Sequence, residues 1–155
     1  MVNGMAHSRA RRNPVDGHPP ARRAAATVGV IFLIAGLLGF LPGVTTGFSD
    51  LYFAGHESTA RLFGVFQVSV LHNLLHLIFG VAGLALARTV SGARAFLIGG
   101  GAIYLVLWLY GLAVYHSTGG ANFIPVNGAD NWLHLALGIG MLAVGMLTAR
   151  LPARH

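Results

Sequence analysis

Residues 72–88 read HNLLHLIFGVAGLALAR. Two histidines four residues apart, with an asparagine between them, head an otherwise apolar run that ends at Arg88. Positions three and four apart share one face of a helix. Asn73, His76, Gly80, Gly83 and Ala87 therefore form a single stripe. Hydrocarbon offers no partner to an amide or an imidazole. In a lipid-embedded helix this stripe has to face protein.

The same pattern returns further along. Asn73–Ala85, NLLHLIFGVAGLA, and Asn131–Ala143, NWLHLALGIGMLA, agree at seven of thirteen positions, with a register offset of 131 − 73 = 58. Leu and Ala matches are cheap in apolar sequence, but Asn, His and Gly in one register are not. Asn131, His134, Gly138 and Gly145 form the matching stripe. A duplicated helical hairpin, its copies related by an axis along the membrane normal, is the simplest source. Small residues at such spacing let helix backbones approach closely. Gly80, Gly83 and Gly138 are the expected packing positions, with Gly36 in the series Gly29, Gly36, Gly39 and Gly43 of an earlier apolar segment.

The composition agrees. Of 155 residues, 55% are hydrophobic and 9% charged, against about a quarter charged in soluble domains. Cysteine is absent, which excludes disulfides and thiolate metal sites. A span needs about 20 mainly apolar residues, and four stretches qualify, at about 24–41, 62–87, 95–115 and 132–149. None contains a charged residue. The expected fold is an all-α membrane protein: a four-transmembrane-helix bundle of two similar hairpins. Residues 1–22 read as a disordered Arg-rich cytoplasmic tail, 23–150 as the transmembrane domain, and 151–155 as a second cytoplasmic tail.

Orientation follows from the arginines, since there is no lysine. Arg9, Arg11, Arg12, Arg22 and Arg23 precede the first span, Arg88 and Arg94 lie between the second and third, and Arg150 and Arg154 follow the fourth. The other two loops hold Arg61 alone, with Asp50, Glu57 and Asp130. The positive-inside rule puts both termini in the cytoplasm. The net charge is explained by orientation and by attraction to anionic lipid rather than by nucleic acid.

The histidines admit three readings. In the first, Asn73, His76, Asn131 and His134 form a structural polar clasp between helices, with no catalytic residue in the chain. Such bonds contribute about 0.5–2 kcal/mol each. In the second, His72, His76 and His134 hold a transition metal or a haem, since imidazole suits Zn, Cu and Fe. Counted from Arg88 and Arg150, His76 and His134 differ in depth by four residues, about 6 Å of helix, which counts against a level pair. In the third, the histidines mark a transport route for an ion or small solute; no Asp, Glu, Lys or Arg accompanies them within the spans. The function expected first is a non-enzymatic structural or accessory component of a membrane assembly. No cofactor is expected under that reading, and the partners are lipid, another membrane protein or a second copy. Asp130 is placed to cap the fourth helix. The loop Pro42–Arg61, with Phe48, Leu51, Tyr52 and Phe53, suits a short interfacial helix.

LLGFLPG at 37–43, HESTARLFGVFQVSVLHNLLHLIFGVAGLALAR at 56–88 and ANFIPVNGADNWLHLALGIGMLAVG at 121–145 resemble the small four-span bacterial membrane proteins grouped as domain of unknown function 4383. The resemblance runs from about Ala24 to Arg150. It implies four spans and a plasma-membrane location, and it implies no activity.

Overall fold

The computed structural model describes residues 19–114 and 116–149. It is mostly helical: α1 is Pro20–Leu38, α2 Val70–Leu86, α3 Val90–Val114 and α4 Gly128–Ala149. Between α1 and α2 lie a 3-10 turn, Phe48–Asp50, and three two-residue strands. These strands, β1 (Thr45–Thr46), β2 (Arg61–Leu62) and β3 (Phe66–Gln67), pair antiparallel in that order. Helices α1, α3 and α4 are long and apolar enough to cross a membrane, and they mark the chain as a membrane protein. Helix α2 has 17 residues, about 25 Å at 1.5 Å per residue, the short end of what a span requires. Ile31, Ile34, Ile78, Val81, Val106, Leu109, Ile139 and Leu147 are all at least half exposed, as lipid-facing side chains must be. Residues 1–18 of the first expected tail and all of the second, 151–155, lie outside the described residues, as do Arg150 and Tyr115, the expected end of the third span.

Helix boundaries follow local chemistry more closely than hydropathy. Helix α1 starts inside the stretch assigned to the tail, because Pro20 is preset for a first helical turn. It ends at Leu38, whose carbonyl accepts the Thr45 hydroxyl at 3.1 Å. Helix α2 starts at Val70, eight residues after the expected start of its span. Ser69 caps it by accepting the His72 N–H at 3.1 Å. The residues before Ser69 turn back through Phe63 and Gly64, both at positive φ, to build the β2–β3 hairpin. Helix α3 starts at Val90, earlier than expected, where Thr89 accepts the Gly92 N–H at 3.0 Å. Helix α4 opens with a reciprocal capping box. Asn127 Oδ1 accepts the Asp130 N–H at 3.0 Å and Asp130 Oδ2 accepts the Asn127 N–H at 2.9 Å. Asp130 Oδ2 also accepts the Gln67 N–H at 2.9 Å, and Asn127 Nδ2 donates to Val65 O at 2.7 Å. The loop hairpin is thereby fastened to the start of α4. The expected interfacial helix is reduced to the turn Phe48–Asp50, because Ser58 and Gln67 tie this irregular loop to the β2–β3 hairpin and to the residues before α2. Ser58 donates to Val68 O at 2.7 Å and Gln67 Nε2 donates to Ser58 O at 2.8 Å.

Helices α1 and α2 run antiparallel. Gly29 sits against Gly80 and Leu84, and Gly36 against Leu77 and Asn73. Helices α3 and α4 do the same. Gly101 sits against Gly138 and Leu142, and Gly145 against Leu97 and Ile98. The two sets of contacts superpose by number: Gly29 plus 72 is Gly101, Gly80 plus 58 is Gly138, and Leu84 plus 58 is Leu142. Between the hairpins lies a cluster of rings. Phe79 meets Phe32 at 5.1 Å, Phe96 at 5.0 Å and Tyr104 at 5.6 Å between centroids. Gly83 lies against Phe96 while Phe79 lies against Gly100, so α2 and α3 are antiparallel. It follows that α2 and α4 run in the same direction.

Candidate functional site

The capping of α2 by Ser69 and of α4 by Asn127 fixes where the polar residues of the two helices fall. Both caps lie at the loop end of the molecule. The first two turns of α2 then carry His72, Asn73 and His76, and the first two turns of α4 carry Asn131 and His134. His72, Asn73, Asn131 and His134 are buried and His76 is half-buried. The stripe faces protein, not lipid.

The two asparagines do not meet each other. Each is seated in a notch on the other helix of its own hairpin. A Cβ added to Gly39 would fall on the Asn73 amide, and one added to Gly111 would fall on the Asn131 amide. Amide oxygen and nitrogen have the same shape, and hydrogen bonding decides between them. In the orientation that satisfies both atoms, Asn131 Nδ2 donates to Trp108 O at 3.2 Å and its Oδ1 accepts the Leu112 N–H at 3.1 Å. Trp108 and Leu112 are four apart, the span of one α-helical hydrogen bond. Asn131 thus lies across that peptide pair of α3, where Gly111 leaves room. Asn73 is placed in the same way at the end of α1, but both of its amide atoms lack a partner.

Three imidazoles gather where the hairpins meet. The rings of His72 and His76 are 4.6 Å apart between centroids, and those of His72 and His134 are 6.4 Å apart. The imidazole in ring contact with His134 is therefore His72, one turn before His76 in the helix. His76 stacks on Phe32 at 5.6 Å, and His134 meets Tyr104 edge-on at 5.4 Å. His72 makes a polar contact with the Gln67 backbone and His134 with the Leu107 backbone. The Nδ1 atoms of His72, His76 and His134 are all buried without a partner. Among the described residues, no group of three or more His, Cys, Asp or Glu side chains is set to hold a metal ion.

Sequence reading placed Asn73, His76, Asn131 and His134 together as one clasp. The structure divides them into two asparagine notches and one imidazole group that includes His72. The missing element was the glycine partner. Aligning the first and third helices at an offset of 72 pairs Arg22 with Arg94, Gly29 with Gly101, Leu33 with Leu105 and Gly39 with Gly111. That comparison would have exposed both notches. Ser69, the hydroxyl nearest the histidines in sequence, is occupied as a helix cap.

No curated protein and no solved structure matches the chain. A family model does: the one described as domain of unknown function (DUF4383) matches residues 22–147, which include every residue of both notches and of the imidazole group. The chain belongs to the DUF4383 family.

Proposed function

We propose that this chain is a four-span protein of a bacterial plasma membrane, built from a duplicated hairpin with both termini cytoplasmic. It acts as a non-enzymatic component that stabilises a larger membrane assembly. The observation carrying this reading is the seating of Asn73 and Asn131 in the Gly39 and Gly111 notches. Both interior amides are directed at the other helix of their own hairpin. The equivalence of the Gly29–Gly80 and Gly101–Gly138 contacts supports the duplication. The outward apolar faces are then available to lipid and to partner helices. Native mass spectrometry of the tagged chain, released from its own membranes in mild detergent, tests the role. A membrane protein retained in fixed stoichiometry is expected. A chain that emerges alone and turns over a substrate would refute it. Reporter fusions at the two ends test the orientation, with both expected on the cytoplasmic side.

One observation favours a second reading, a metal- or haem-binding redox protein. The gathered His72, His76 and His134 each hold a buried, unpartnered Nδ1, and neutral imidazole is a common ligand of Zn, Cu, Fe and haem. Elemental analysis and an absorption spectrum separate the two. Stoichiometric metal or a Soret band would establish the second reading, and their loss in His72→Ala and His134→Ala would place the ligand.

A further inference from the structure

The end of the molecule opposite the notches carries a cleft of about 290 Å³, lined by Arg22, Arg23, Ala26, Leu84, Ala87 and Arg88. It lies between the start of α1 and the end of α2, which the antiparallel packing brings together. Arg22 is fixed there, since its Nε donates to Ala87 O at 2.9 Å. The carboxylates of the described residues, Asp50, Glu57 and Asp130, all belong to the loop end. Three arginines therefore line the cleft, with no acid from the described residues beside them.

The second hairpin shows which of these arginines the fold requires. Arg94 is the equivalent of Arg22, and it too donates to a carbonyl at the end of its partner helix, from Nη2 to Thr148 O at 2.6 Å, three residues beyond the position equivalent to Ala87. That arginine-to-carbonyl link belongs to the hairpin architecture. At the positions equivalent to Arg23 and Arg88, however, the second hairpin has Ala95 and Met146. The first hairpin holds two guanidinium groups that closing a hairpin does not need.

We propose that this cleft binds the phosphate of an anionic phospholipid headgroup. Guanidinium pairs with phosphate oxygens in a forked geometry, and basic clefts between helices at a membrane surface suit such headgroups. The lining selects a lipid over free phosphate. Ala26, Leu84 and Ala87 make the apolar part of the cleft. One turn further toward the membrane centre, Val30 on α1 and Val81 on α2 are exposed, continuing an apolar surface along which an acyl chain can lie. Arg22 positions the cleft, and Arg23 and Arg88 supply the charge. The proposal rests on the membrane-spanning reading above.

The test uses the full chain in a neutral detergent and reads lipid binding by native mass spectrometry. The probes are phosphatidylglycerol, phosphatidylcholine and inorganic phosphate. Wild type is expected to bind phosphatidylglycerol in preference to phosphatidylcholine, with inorganic phosphate failing to compete. Each arginine near a membrane surface contributes about fivefold to such binding, so Arg23→Gln with Arg88→Gln is expected to weaken it roughly thirtyfold. Arg61→Gln, at the loop end, should leave it unchanged. The single variants, each about fivefold weaker, give the same reading should the double variant fail to fold. Equal binding of the two lipids, or full binding by the double variant, overturns the site. Competition by inorganic phosphate overturns the assignment to lipid. Membrane integration is read separately by carbonate extraction. Release of the chain into the soluble fraction would sink the spanning reading, whereas loss of lipid preference alone sinks only the cleft.

Discussion

Gly29→Ala tests the closest approach of α1 and α2. A methyl group built on Gly29 lies 2.9 Å from Gly80 O, 3.0 Å from Leu84 N and 3.2 Å from the Gly83 carbonyl carbon. Each of these atoms is backbone, so no rotamer change can relieve the contact. Ordinary van der Waals separation is 3.4–4 Å, so the helices have to part by roughly 0.5–1 Å. Overpacking of this kind costs about 1–3 kcal/mol. Ala regains up to about 1 kcal/mol over Gly in helix propensity. With three backbone atoms meeting the methyl group, the cost falls at the upper end, about 2–3 kcal/mol, and the net expectation is a loss of about 1–2 kcal/mol. Gly101→Ala should cost about the same, because it meets Gly138 O and Leu142 N, each at 2.9 Å. Gly99→Ala is the control, with no heavy atom within 4 Å of the added carbon; it should be neutral or slightly stabilising. The assay is reversible unfolding in mixed micelles, followed by the fluorescence of Trp108 and Trp132. Stability of Gly29→Ala indistinguishable from wild type, with Gly99→Ala also unchanged, would refute close helix contact at this point.

The asparagines separate equivalent sequence positions by sign. Asn131→Leu should cost about 1–2 kcal/mol in the same assay, since it strips hydrogen bonds from Trp108 O and Leu112 N–H. Asn73→Leu should be neutral or stabilising, because its amide atoms are buried without partners. Ser69→Ala removes the cap of α2 and should cost about 0.5–2 kcal/mol, seen as faster hydrogen exchange at the His72 amide. Asp130→Ala removes the carboxyl acceptor of two backbone N–H groups and leaves them unpaired. A loss of about 1.5–3 kcal/mol should appear in thermal unfolding, with faster exchange at Gln67 and Asn127.

Much of the helical architecture was legible in the residues. Three apolar runs became α1, α3 and α4 because buried backbone in lipid has no alternative to internal hydrogen bonding. The stripe from Asn73 to Ala87 announced which side of α2 faces protein, and Asp130 announced a cap. Other features were hidden for identifiable reasons. Residues 62–69 are as apolar as a helix, but the left-handed turn at Phe63 and Gly64 and the Ser69 cap divert them into sheet. Periodicity cannot register a turn that one or two backbone angles decide.

Composition, helix faces and the recurrence of Asn, His and Gly at fixed spacing can be read directly from the residues. These are local properties, set by the 3.6-residue turn and by the intolerance of hydrocarbon for unpaired polar groups. What each polar group meets is set instead by how the helices pack. Asn131 lies across a peptide pair of α3, Asn73 is seated without partners, the His72 ring meets that of His134, and Arg23 and Arg88 join Arg22 in one cleft. These outcomes depend on the relative depth and rotation of whole helices, which are set by glycine contacts between segments far apart in the chain.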